Sequence, residues 1–201
     1  MDLTAAANPA MLRADAPGPR RHPFTREEFH QLGEYDAQGN RRRIELLDGE
    51  VVDMRPMNMR HANAIRRLER WLHRAVPDPL AVSTQLPLAL SALDEPEPDL
   101  YVAPLAAGID SDHPHTALLV IEVADSSLHH DRTTKLRLYA RSGVAEYWIV
   151  DVNAETVEVH TEPAGDGYAT KRTHRRGQTV LCAILEGAAV AVDEVFGVSK
   201  G

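Results

Sequence analysis

The chain has 201 residues, 43% of them hydrophobic, which is enough for one domain with a substantial core and too few for two. Its formal net charge of −8 excludes a protein that coats nucleic acid through charge alone, because that affinity comes from many Lys and Arg contacts to phosphate. The lone Cys182 excludes an intrachain disulfide and a thiol metal cluster, and no run is long and apolar enough to span a membrane.

Residues 1–23 are rich in alanine and proline and lack amphipathic period, which predicts a disordered tail and leaves residues 24–201 as a single domain. The tail also lacks the apolar segment of a signal peptide, so the expected location is cytoplasmic. Thr25 followed by Glu28 has capping-box spacing, predicting a short helix through Phe29 and Leu32 that ends by Gly33 or Gly39. Residues 43–47 and 50–54 flank Asp48-Gly49, the pair that supplies positive φ for a two-residue hairpin turn. Within that hairpin, Glu45 reads on its own as a solvent-face residue of an alternating strand.

A helix over about residues 60–76 follows, with Ile65, Leu68, Leu72 and Val76 on one stripe and Arg66, Arg67, Arg70 and Arg74 largely off it. His61 falls on the apolar stripe at the first turn, where a histidine is either a satisfied core or capping group or a ligand. Residues 80–88 read as a strand, and Asp94-Glu95-Pro96-Glu97 as a solvated acidic turn. The next strand is Pro98 to Ala103; its proline can occupy only a first or edge position, so Asp99 stands at the strand's start. The loop over residues 108–115 holds Asp110, Asp112, His113 and His115, a polar loop with no fixed third ligand of a soft type.

Residues 117–123 form an unbroken apolar run that ends in Glu122 and Val123, which fits a strand covered on both faces. A carboxylate at Glu122 is therefore costly to bury without a partner or a metal. The following helix takes Asp131 as its N-cap and Gly143 as its C′ residue. At about 100° per residue, Leu136, Leu138, Tyr139 and Ala140 define its inward arc, and Lys135 falls within that arc. Such a lysine either snorkels along the apolar face to water or points into the fold. Residues 146–152 and 156–161 read as paired strands, and a third follows Gly165-Asp166-Gly167 with Lys171, Arg172, Arg175 and Arg176 clustered nearby. There is no internal repeat, phosphate-binding glycine loop or nucleophile elbow.

The order Pro98-Asp99, then Ile121-Glu122-Val123, then a lysine resembles the PD-(D/E)XK nuclease superfamily. The longer run Glu122-Val123-Ala124-Asp125-Ser126-Ser127-Leu128, Asp131-Arg132, Lys135, Tyr139-Ala140, Gly143-Val144 and Glu146 to Asp151 is similar to the Uma-type family of restriction-endonuclease-like proteins. That resemblance extends from about Phe24 to the C-terminus.

It implies an α/β fold: a restriction-endonuclease-like core with a mixed central sheet flanked by helices, and an N-terminal β-hairpin. It also implies Asp99, Glu122 and Glu45 as catalytic and metal-binding acids, joined by the carbonyl after Glu122, with Lys135 as the catalytic lysine and His61 as a secondary site residue. Ala124 stands where the superfamily's lysine would, so the resemblance passes that role to Lys135 on the following helix. Hard oxygen ligands of this kind suit Mg²⁺ or Mn²⁺. The implied activity is metal-dependent hydrolysis of DNA by a homodimer. The alternative is a non-catalytic nuclease fold used for binding DNA or protein.

Overall fold

The computed structural model describes residues 21–33, 38–40, 42–54, 57–105 and 113–197. The predicted tail lies almost wholly outside these residues, as do Asp110 and Asp112. The elements are α1 (Arg26–Gln31), β1 (Ile44–Leu47), β2 (Glu50–Asp53), α2 (Met59–Ala75), β3 (Leu80–Thr84), β4 (Leu100–Pro104) and β5 (Leu119–Ala124). A helical segment follows in three pieces: α3 (Leu128–His130), a π-helical turn (Asp131–Lys135) and α4 (Leu136–Arg141). The chain closes with β6 (Glu146–Asp151), β7 (Thr156–Ala164), β8 (Gly167–Arg175), β9 (Thr179–Leu181), β10 (Ala189–Ala191) and α5 (Val192–Phe196).

Six strands form one mixed sheet in the order β3-β4-β5-β6-β7-β8. Only β5 and β6 run parallel, with Leu119 opposite Glu146 and Ala124 opposite Asp151. A parallel pair needs a crossover, and the α3–α4 segment supplies it. Because side chains alternate across a strand, β5 is apolar on both faces. Leu119, Ile121 and Val123 enter the core beneath α2 and α5, while Val120 and Ala124 enter the core beneath α4. On the first face Trp71 of α2 stacks on Trp148 of β6, ring centroids 5.5 Å apart. On the second, Leu138 and Tyr139 of α4 pack with Tyr101, Tyr147 and Ile149.

Local signals place the outer pieces. Thr25 and Glu28 form a complete capping box on α1. Asp48 and Gly49 both have positive φ and close the β1–β2 hairpin with Leu47 opposite Glu50. Gly143, at φ +75°, sits just past α4, where the Gly143 N–H donates to Ala140 O and the Val144 N–H to Tyr139 O, both at 3.0 Å. This is the Schellman end that the glycine foretells.

Three expectations change. The strand expected over residues 80–88 stops at Thr84, because Gln85 turns into the left-handed region at φ +51°. Asp131 is not an N-cap: the helix starts one turn earlier at Leu128, and Asp131 lies 2% exposed inside it. Asp94 and Glu95 are buried rather than solvated. Arg141 pairs with Asp94 at 3.0 Å, and Arg26 and His30 reach Glu95 at 2.6 and 2.8 Å, so each buried charge is met by a cation or donor.

Candidate active site

Asp99 directly precedes β4, after Pro98, whose missing N–H keeps it out of the ladder. Its Oδ2 accepts the Val123 N–H at 2.8 Å, tying the start of β4 to the end of β5. Its Oδ1 lies 3.1 Å from His61 Nε2 and accepts from Gln85 Nε2 at 3.4 Å. The first turn of α2 thus delivers His61 to the aspartate, with Asn58 capping that turn by accepting the His61 N–H.

Glu122 alternates with Ile121 and Val123 and so projects to the α4 side of β5. There its Oε1 accepts from Lys135 Nζ at 3.0 Å and from the Tyr139 hydroxyl at 2.7 Å. Lys135 and Tyr139 are one helical turn apart and reach the same oxygen. Lys135 Nζ also lies 3.1 Å from Glu45 Oε2, and that oxygen accepts the Glu97 N–H at 3.3 Å. Glu45 is buried on β1, not displayed on a solvent face. Lys135 does not snorkel: it is buried and doubly paired.

The structure therefore brings Asp99, Glu122, Glu45, Lys135 and His61 to one cavity of about 360 Å³. Asp131 lines it too, its carboxylate accepting from Ser127 Oγ at 2.6 Å. Sequence reasoning missed Asp131 and Tyr139 as site residues. Both lie on the inward arc with Lys135, which is the signal that would have found them.

Four buried carboxylates (Glu45, Asp99, Glu122, Asp131) face one ammonium across this cavity. Burial pushes the Glu122 carboxyl up to about 8; Lys135 opposes this, and Asp99, Asp131 and Glu45 reinforce it. Burial disfavours the Lys135 ammonium, yet Glu122, Glu45 and Asp131 outweigh it and hold the group above the usual lysine range. Asp131 is raised as well, first by burial and against the pull of Lys135. Glu146 shows the contrast. It is fully buried, but it accepts from Trp148 Nε1, the Ala183 N–H and the Ile184 N–H, so both its oxygens are hydrogen-bonded from within the fold.

The acids do not form a ready-made ligand triad. Among the described residues no three His, Cys, Asp or Glu side chains converge as a metal-holding group, and Lys135 stands between Glu45 and Glu122. Other polar groups lie elsewhere: His115 Nδ1 is 2.9 Å from Ala89 O, and of the cationic cluster on and after β8, Lys171 pairs with Glu158 and Arg176 with Glu155 and Asp193.

Three comparisons bear on this geometry. Residues 26–193 match the model of the Uma2 family, described as "Putative restriction endonuclease". The fold is similar to a crystal structure titled a "putative nuclease belonging to DUF820" from Anabaena variabilis ATCC 29413. Its TM-score is 0.68 at 14% identity, covering 87% of this chain and 98% of that one. No curated protein matches the chain.

Proposed function

Because this chain belongs to the Uma2 family, we propose that it is a nuclease that hydrolyses DNA phosphodiester bonds with the aid of Mg²⁺ or Mn²⁺. One observation carries the reading: a buried lysine and an excess of buried carboxylates meet in a cavity where two strand ends and two helices converge. Four acids against one ammonium leave more acid groups than the fold's own cation can match, in a place where ionised carboxylates are costly, and a divalent cation, by favouring their ionised forms, fits that imbalance.

Mg²⁺ keeps several waters and needs only one or two carboxylates, so the lack of a three-acid group is compatible with it. Asp99 and Glu122 would hold the ion, with the Val123 amide fixing the Asp99 rotamer. Such an ion, when bound, polarises the phosphoryl oxygens and acidifies a water. Lys135 supplies a fixed cation beside the developing phosphorane charge, where preorganised electrostatics count most. Glu45, engaged with Lys135 and the Glu97 N–H, orients that ammonium; a direct bond from Glu45 to the metal would require it to leave the lysine. His61, against Asp99, stands where it can hold the carboxylate or meet a phosphate oxygen.

Plasmid nicking and linearisation in Mn²⁺, Mg²⁺ or EDTA, beside Asp99→Ala, tests the reading. Metal-dependent cleavage lost in the variant supports it; cleavage in EDTA, or equal cleavage by the variant, removes it. Cutting both strands together needs two sites, so a homodimer goes with this proposal, and light scattering that shows only monomer counts against it. A second reading, a nuclease fold kept for binding, draws on Ala124 at the superfamily's lysine position and expects DNA binding without cleavage.

A further inference from the structure

Helix α2 concentrates charge in a chain whose net charge is −8. Its 17 residues include five arginines and one glutamate. At about 100° per residue, Arg60, Arg67 and Arg74 fall on one line along the edge of the buried arc of Ala64, Ile65, Leu68 and Trp71, and Arg66 and Arg70 lie opposite that arc. Arg60, Arg66, Arg70 and Arg74 are exposed. The single acid, Glu69, is turned away and accepts from Thr84 Oγ1 at 2.7 Å.

The fold leaves most of this charge unspent. Arg67, Arg70 and Arg74 have no ion-pair or hydrogen-bond partner among the described residues. The Arg67 guanidinium lies against Gly197, where a Cβ would come within 2.7 Å of its Nη2. Arg60, Asn63 and Arg67 wall a notch of about 110 Å³. Glu155, on its rim, is matched by Arg176 and lies 4.0 Å from Arg60 Nη2, which also donates to Val152 O. The other cationic cluster keeps less: with Lys171 and Arg176 paired internally, β8 offers Arg172 and Arg175.

The position of the face matters as much as its charge. His61 and Met57, at the start of α2, line the catalytic cavity, and the N-cap Asn58 donates to Asp125 on that cavity's wall at 2.6 Å. The arginine line begins there and runs from Arg60 to Arg74, roughly 20 Å at the helical rise. That length matches about six base pairs of backbone at ~3.4 Å per phosphate along one strand.

We propose that the arginine face of α2 binds the phosphate backbone of duplex DNA flanking the site of cleavage. The proposal rests on the nuclease reading and adds where the duplex lies. Full spacing of cations along a polyanion and a low density of competing acids explain how an acidic protein engages DNA: the affinity is local to one helix.

The test is binding of a short fluorescent duplex of mixed sequence to the full chain in EDTA, followed by anisotropy across salt from about 50 to 200 mM. The variant is Arg66→Gln with Arg70→Gln and Arg74→Gln, its fold checked by melting temperature. The parent should lose affinity steeply with salt, and the variant's log–log slope should be shallower by about 3, one unit per arginine. Over that salt range the difference amounts to about 40-fold in affinity. An unchanged slope in a folded variant overturns the proposal, as does an equal loss from Arg172→Gln with Arg175→Gln on β8. Plasmid cleavage by the parent separates the two levels. Cleavage with an unchanged slope leaves the nuclease reading standing and removes the α2 face; an α2-dependent slope without cleavage does the reverse. A parent that binds no duplex in EDTA overturns the α2 face, and plasmid cleavage in metal then decides the nuclease reading by itself.

Discussion

Lys135 Nζ lies 3.0 Å from Glu122 Oε1, with both side chains about 95% removed from solvent. An inward lysine with no partner would be a lone buried ammonium, whose replacement by methionine is expected to leave stability unchanged or improved. The structure reverses that expectation. Lys135 pairs with Glu45 and donates to Glu122, so Lys135→Met leaves Glu45 buried without its cation and Glu122 without that donor. The expected cost is about 3–5 kcal/mol, the scale for removing one member of a buried pair. If the catalytic role holds, the single-turnover rate falls by roughly 10² as well. Adding Glu45→Gln to Lys135→Met should restore much of the melting temperature and none of the rate. A single variant as stable and as fast as the parent would sink both assignments.

Metal binding has its own readout. A ligand that binds only the native state stabilises it by about 2.7 kcal/mol at a hundredfold excess over its Kd. Mg²⁺ or Mn²⁺ is therefore expected to raise the melting temperature of the parent. Asp99→Asn keeps an acceptor for the Val123 N–H while removing the charge, so it should fold and lose the metal-dependent rise. An undiminished rise in this variant would show that the ion, if bound, sits elsewhere.

Tyr139 makes a separable contribution. Its ring packs on Tyr147 with centroids 5.0 Å apart, and its hydroxyl donates to Glu122 Oε1. Tyr139→Phe preserves the packing and deletes one bond to a buried carboxylate, at an expected cost of about 1.5–3 kcal/mol. Glu122→Gln with Tyr139→Phe closes a double-mutant cycle. Additive losses would mean that the two groups do not interact.

The pH dependence follows from Glu122, whose carboxyl is pushed up to about 8, chiefly by burial. The folded chain then keeps a proton that the unfolded chain releases near 4.5, so in EDTA this group's stabilisation is full below about 4.5 and is lost as pH rises through about 8. Lys135, held above its usual range, does not titrate in that window. The parent's advantage in melting temperature over Glu122→Gln should therefore shrink between about pH 5 and pH 8. With Mg²⁺ the direction inverts, because the ion takes the ionised carboxylate and competes with the proton. The metal-induced rise should grow across the same window, and a rise independent of pH would contradict Glu122 as a ligand.

Much of the frame was legible locally. The capping box at Thr25 and Glu28, the Asp48-Gly49 turn and Gly143 at φ +75° are each fixed by chemistry within a few residues. The apolar run through Leu119 to Val123 likewise declared a strand buried on both faces, with Glu122 as its costly exception. The family resemblance then named Asp99, Glu122, Glu45, Lys135 and His61, and the fold gathers all five at one cavity.

What the sequence by itself determined were most of the elements up to β8, their faces and the presence of an inward charge, because propensity and periodicity act over one or two turns of chain. Only the tertiary structure decided which partner each buried charge takes. That Glu45 of the hairpin meets Lys135 of the crossover helix, and that Asp94 and Glu95 pair with Arg141 and Arg26, depends on contacts between elements far apart in sequence. No local rule sets those distances, and a buried charge changes from costly to neutral to catalytic according to what stands about 3 Å away.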